Sequence, residues 1–180
     1  MDLIARLLLG AASRGRILLY RAVGMRIRGH VSLRAIEFPR RPRTITLEAG
    51  AMLERGVVLL ATCDAARIEI GRNCYLNRHT MIDASERVSI GDEAMVGPFC
   101  YITDHDHTIN AKASAADGPL ISQPTEIGAR AWLGAHVTVL KGVTIGAGTV
   151  VGAGSVVTKS LPPGVVAVGN PARVLRQIAP

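Results

Sequence analysis

Aliphatic residues recur at every sixth position, at Ile127, Leu133, Val139, Ile145, Val151 and Val157, and four of the six are followed directly by glycine. A helix repeats at about 3.6 residues and a half-buried strand at 2, so a period of six counts a larger unit, one short strand plus one turn. Within each unit the aliphatic side chain points inward and the small residue after it permits close backbone approach. The remaining positions bend the chain toward the next face. Three units close a triangular coil of about eighteen residues, and stacked coils pair at the ordinary strand spacing of about 4.7–4.9 Å. The same step holds at Leu47, Leu53 and Leu59, at Ile70, Leu76 and Ile82, and at Ile90, Val96 and Ile102. A sandwich of short strands is the plainer alternative, but it places its turns about every 8–12 residues, wider than the spacing here. The expected fold is all-β: a solenoid of parallel strands with a short N-terminal helical segment and one protruding loop.

Composition fits thin coils filled by Val, Ile and Ala, since hydrophobic residues make up 48% of the chain and aromatic residues only 3%. Most glycines sit in phase with the repeat and read as coil corners. Cys63, Cys74 and Cys100 are odd in number and lack a CxxC spacing, which argues against a disulfide framework or a zinc finger and for a reducing, cytoplasmic setting. Cys74 and Cys100 fall inside coil segments and read as small buried hydrophobes.

The net charge of +7 is concentrated at the front. Residues 1–43 hold ten arginines against Asp2 and Glu37, which leaves the rest of the chain near neutral. Two segments are therefore expected: a basic, amphipathic one over 1–43 and the repeat domain over 44–180. In the first, Leu3, Ile4, Leu7, Leu8, Ala11 and Leu18 are spaced as one helical face, with Arg6, Arg14 and Arg21 elsewhere. No apolar run approaches the 18 or so residues of a spanning helix, and Arg6 interrupts the only stretch resembling a signal peptide. Two uses stay open and are compatible: a helix capping the open end of the solenoid, or a peripheral contact of residues 1–28 with anionic lipid. Nucleic-acid binding is not expected, because the arginines lack aromatic interleaving and any recognised motif.

The six-residue step breaks once at length. Between Ile102 and Ile127 the chain reads TDHDHTINAKASAADGPLISQPTE, and an excursion of this size from a compact coil marks a functional arm. His105 and His107 stand near its start beside Asp104 and Asp106, and Pro119 and Pro124 stiffen its return.

With the phased hexapeptides and the histidine loop, Asn77, Trp132-Leu133-Gly134, Val157-Thr158-Lys159 and Gly169-Asn170-Pro171-Ala172-Arg173 follow in order. Over roughly residues 45–178 this pattern resembles the left-handed β-helix acyltransferases, in the branch of maltose, galactoside and exopolysaccharide O-acetyltransferases. Handedness comes from the resemblance alone, since ordinary parallel crossovers are right-handed. The resemblance implies acetyl-CoA as co-substrate without a metal, a homotrimer with sites between subunits, and a loop histidine as general base. In the maltose and galactoside enzymes that histidine comes nine residues after a proline, which selects His107, after Pro98, ahead of His105. An imidazole titrating near about 6.5 suits the removal of a proton from a sugar hydroxyl as it attacks a thioester.

The resemblance further places the acceptor near Asn77 and Asp104. It places acetyl-CoA near Trp132, Gly134, Ala135, Ala153, Thr158, Lys159, Arg173 and Arg176. Each of these has a plainer reading: Asn77 as a corner residue bonded to its own backbone, Asp104 and Asp106 as loop-turning carboxylates, each cation as a solvated charge. His79 and His136 read as surface or corner residues, and His30 lies outside the resemblance. The acidic acceptor contact in the N-terminal helices of the maltose and galactoside enzymes has no counterpart in residues 1–43. The expected acceptor is therefore a sugar, nucleotide sugar or lipid-linked saccharide of polysaccharide biosynthesis, met at the inner membrane face. Two other classes remain to be separated: a γ-type carbonic anhydrase, which asks for three zinc-binding histidines, and a non-catalytic solenoid.

Overall fold

The computed structural model describes residues 3–109 and 118–179, with side chains from Leu8 onward. Leu3, Ile4 and Leu7 of the expected helical face, Arg6 beside it, and the middle of the arm at 110–117 lie outside the described side chains or residues. The repeat folds as its period requires, into a solenoid of about seven turns with three parallel sheets as its faces. The first face stacks Arg26–Ile27, Ile45–Leu47, Arg67–Ile70, Arg87–Ile90, Thr125–Ile127 and Thr144–Ile145. The second stacks Ser32–Leu33, Met52–Leu53, Tyr75–Leu76, Met95–Val96, Trp132–Leu133, Val150–Val151 and Val165–Gly169, and Ala172–Gln177 closes it antiparallel. The third stacks Val58–Ala61, Met81–Ala84, Tyr101–Thr103, Thr138–Val139 and Val156–Val157.

Each phased aliphatic is a core residue. Leu47, Leu76, Ile102, Leu133 and Ile145 are fully buried, and their counterparts in other coils lie beside them in register. Two residues earlier runs a second inward column, which carries small groups at Ala51, Cys74, Ala94 and Ala131 on the second face and at Thr80, Cys100 and Ser155 on the third. Cys74 donates its thiol to the Gly91 carbonyl at 2.9 Å and Cys100 to that of Gly134 at 3.1 Å. Burial pushes the Cys74 thiol up to about 11, so both behave as small core residues.

The three edges of the prism differ. At the first edge the chain turns through a left-handed residue in successive coils, at Gly50, Asn73, Glu93, Arg130 and Gly148, and at the second through Gly56, His79, Phe99, His136 and Gly154. On these two edges the core residues keep a step of six in every coil from Leu47 onward. On the third edge the step runs 11 residues from Leu59 to Ile70, 8 from Ile82 to Ile90, 25 from Ile102 to Ile127 and 6 from Val139 to Ile145. All the irregularity of the repeat is gathered on one edge.

The coils begin earlier than the expected boundary between residues 43 and 44. Ile27 and Leu33 are buried, and Arg26–Ile27 and Ser32–Leu33 pair in parallel with the next coil. The first coil was hidden because its outward positions are arginines, which stand opposite carboxylates one coil on: Arg28 meets Glu48 at 2.9 Å and Arg34 meets Glu54 at 3.6 Å. Helix α1 (Leu3–Ala22) lies on this first coil. Ser13 Oγ accepts the Leu33 N–H at 2.9 Å and Arg16 donates to the Leu33 carbonyl at 3.0 Å, occupying groups that a further coil would have paired. Ile17 and Tyr20 are the buried contacts. The expected apolar face is not the packed one: Leu8, Ala11 and Leu18 point outward with Leu19, because the polar Ser13 and Arg16 satisfy the coil end.

Candidate active site on the third edge

The arm leaves the solenoid between the third and first faces as a hairpin, His105–His107 pairing antiparallel with Leu120–Ser122. Its root is fastened inside the coil. Asp104 is fully buried, and its two oxygens accept the backbone N–H groups of Ser85 and Glu86 at 2.7 and 2.8 Å, which fixes the arm to the shorter insertion one coil below. Thr125 Oγ1 donates to the Thr103 carbonyl at 2.8 Å, closing the root from the other side. Lys141 meets Asp106 at 3.3 Å.

Alternation puts residues 105 and 107 on one side of an extended strand, yet their surroundings differ because the strand leaves the coil between them. His105 is 9% exposed: Nδ1 lies 3.0 Å from Asp104 Oδ1 and 3.2 Å from Thr103 Oγ1, and Nε2 lies 3.9 Å from Asp83 Oδ2. Both ring nitrogens thus face carboxylates inside the protein. His107 is exposed. Asp83 stands between Leu60 and Thr103 on the third face, and its Oδ1 is buried with no hydrogen-bond partner among the described residues. Burial pushes its carboxyl above the usual carboxylate range, against the opposing pull of His105. Asp83 and Lys141 are not singled out by the sequence; the signal for Asp83 is a charge at a strand position where the coil below has Leu60.

The other candidates fall in separate places. Asp104, with its oxygens held by backbone amides, has no surface to offer an acceptor and serves as the arm's anchor. Asn77 Oδ1 accepts the Arg78 N–H at 2.7 Å, the bond of a corner residue. Gly134, Ala135 and Ala153 follow the second face at the second edge, where a Cβ on Gly134 would stand 2.7 Å from the Ala153 nitrogen, so close coil stacking itself requires glycine there. Trp132 is 53% exposed on the second face, in register with Met95 and Val150. Arg173 and Arg176 are exposed on the closing strand of that face. Thr158 and Lys159 are exposed at the third edge. In a triangular prism the third edge is opposite the second face, so one chain does not bring His107 to Trp132.

His79 and His136 are corner residues of the second edge, stacked on either side of Phe99 with centroids 5.0 and 5.1 Å apart. Among the described residues no three His, Cys, Asp or Glu side chains form a group able to hold a metal ion. The three imidazoles of the carbonic anhydrase alternative are therefore not assembled within the described chain.

Comparison with known proteins agrees with this architecture. Residues 124–159 match the bacterial transferase hexapeptide family (six repeats). Over 134 residues the chain is 41% identical to nodulation protein L of Rhizobium leguminosarum bv. viciae, covering 69% of this chain and 70% of that protein. Over 113 residues it is 42% identical to galactoside O-acetyltransferase of Escherichia coli (strain K12), covering 63% and 55%. A solved galactoside acetyltransferase in complex with coenzyme A superposes with a TM-score of 0.59 at 32% identity, over 85% of this chain and 65% of that one. The chain belongs to the hexapeptide-repeat acyltransferase family. It spans 55%, 50% and 61% of the length of three of the curated relatives it matches.

Proposed function

We propose that the chain transfers an acetyl group from acetyl-CoA to a sugar hydroxyl in exopolysaccharide or lipopolysaccharide biosynthesis, with His107 as general base. The observation that carries this reading is the arm itself, rooted in the coil by Asp104 and His105 and presenting an exposed imidazole one alternation further on. His107 takes the hydroxyl proton as the oxygen attacks the thioester carbonyl, the tetrahedral intermediate collapses with loss of the thiolate, and the imidazolium returns the proton to sulfur. Direct transfer in a ternary complex needs no covalent enzyme intermediate. His105, held between carboxylates, positions the arm.

Trp132, Gly134, Ala135 and Ala153, with Arg173 and Arg176 beyond the last coil, form one continuous strip for the pantetheine arm and the phosphates of acetyl-CoA. Because that strip faces away from the arm of its own chain, two copies side by side are needed to set His107 against it. This supports a homotrimer with sites between subunits; Thr158 and Lys159, on the arm's edge, would meet the same cofactor from the other side.

No helix among the described residues is long and apolar enough to cross a membrane. The outward Leu8, Leu18 and Leu19 of α1, with exposed Arg14, suit peripheral contact with an anionic leaflet. Labelled acetyl-CoA offered with a panel of free, nucleotide-linked and lipid-linked sugars tests the activity: mass spectrometry is expected to find one acetyl ester on a saccharide. Labelling of no saccharide, with stoichiometric zinc tracking a hydration activity instead, would replace this reading with the metal one.

A further inference from the structure

Several arginines on the outside of the solenoid are paired along it. Arg28, Arg34, Arg72 and Arg87 each reach a carboxylate on an adjacent coil, Glu48, Glu54, Asp92 and Glu69, at 2.9, 3.6, 2.7 and 2.9 Å. The side chains of Arg26, Arg40 and Arg43 make no hydrogen bond or ion pair among the described residues, yet they line one hollow of about 520 Å³ together with Arg41 and Arg67. The one carboxylate there, Asp64, is bound to Arg41 at 3.0 Å and is 95% exposed. Arg67 is engaged by the carbonyls of Asp64, Ala65 and Ala66. Gly24 is what admits Arg43, since a Cβ there would stand 2.6 Å from Arg43 Cγ. Three uncompensated guanidiniums gathered around one concavity repel each other, and their fork of donors matches the oxygens of a phosphate.

The position of the hollow adds to this. Arg40, Arg41 and Arg43 lie where the first coil crosses from the third face to the first, on the same edge as the histidine arm. Three coil spacings separate the two crossings, about 14 Å at the usual strand separation. A saccharide joined to a diphosphate spans such a gap.

We propose that this hollow binds a phosphate or diphosphate group, and that it holds the charged carrier of a phosphate-linked saccharide whose hydroxyl lies at His107. The second half rests on the acetyl-transfer reading; the first does not.

Equilibrium dialysis of the full chain with radiolabelled inorganic pyrophosphate, in the presence of coenzyme A to fill the cofactor strip, tests the first half. The variant carrying Arg26→Gln, Arg40→Gln and Arg43→Gln is expected to bind about a thousandfold more weakly, at about tenfold per guanidinium, while Arg28→Gln with Arg72→Gln changes little. A wild-type chain that does not bind, or a triple variant that binds as well as wild type while melting at the same temperature, would overturn the site. Sources are separated by flotation with vesicles of phosphatidylcholine alone or mixed with phosphatidylglycerol. Capture by the anionic vesicles that the triple variant loses and pyrophosphate displaces assigns a lipid-borne phosphate; pyrophosphate binding without such capture assigns a soluble, nucleotide-type carrier. For the second half, the triple variant should raise KM for a diphosphate-linked saccharide and leave KM for the free sugar and both kcat values in place. Unchanged KM despite lost pyrophosphate binding would refute the carrier role alone, and absence of any acetyl transfer by the wild type would refute the acetyl-transfer reading while the dialysis result stood.

Discussion

Two edges of this solenoid repeat and the third does not. On the first and second edges every coil from residue 47 to 157 crosses in the same six-residue step through a left-handed corner, whatever residue stands there: glycine, asparagine, glutamate, arginine, histidine or phenylalanine. The third edge carries the turn at 62–66, the Ser85–Glu86 insertion and the histidine arm, and its groups are tied to one another from coil to coil: Arg41 to Asp64, Cys63 to Ser85, Asp104 to Ser85 and Glu86. The regular edges show what stacking alone demands. The irregular edge shows where the chain departs from that demand, and it is there that the buried Asp104 and His105 stand beside the exposed His107.

Substitutions can break this contrast. The largest effect on stability is expected from Asp104→Asn, whose amide cannot accept from both Ser85 and Glu86. One buried N–H left unpaired costs about 1–3 kcal/mol, and thermal melting should record it together with a loss of turnover as the arm root loosens. An unchanged melt would mean that the arm is not anchored by this carboxylate. On the regular side, Phe99 has φ 57° and sits in an imidazole stack. Phe99→Ala loses the stack and keeps the strained corner, whereas Phe99→Gly relieves it, so the glycine variant should be the more stable by about 1 kcal/mol. A more stable alanine variant would show that the corner geometry is not what limits this position.

A smaller effect is expected at Asp83. Its folded carboxyl titrates above the unfolded value of about 3.9, so the native state binds the extra proton. Stability from this group is full below the unfolded value and is lost as the pH rises through the folded one. Asp83→Asn should therefore raise the melting temperature at neutral pH and flatten the melting profile across that acid window. A lower melting temperature at neutral pH would show that attraction to His105 outweighs the cost of burying the carboxylate.

Much of this was legible in the sequence, and the failures have physical causes. A period of six can be satisfied only by a strand and a turn, so the coils from Leu47 onward, their core residues and the place of the arm could be read directly. The first coil could not, because ion pairs such as Arg28 with Glu48 join residues twenty positions apart and leave only a run of arginines in the sequence. The face of α1 that packs could not either: amphipathicity marks which side is apolar, but Ser13 and Arg16 pack because the coil end offers an unpaired N–H and carbonyl at Leu33. In the arm, alternation made His105 and His107 equivalent, and only the strand's departure from the coil separates them. The arginine hollow was invisible because its members, Arg26, Arg40 and Arg43, differ from their neighbours only in lacking a partner on the next coil.

In the proposed reaction the exposed histidine of the irregular edge does the chemistry while the buried one holds it in place. Thiol release from acetyl-CoA with a saccharide acceptor, measured beside thermal melting for His107→Ala and His105→Ala, tests it most directly. His107→Ala should lose about 10²–10⁴ in kcat while remaining folded, and His105→Ala should show the larger fall in melting temperature. Full turnover by a folded His107→Ala chain would contradict it.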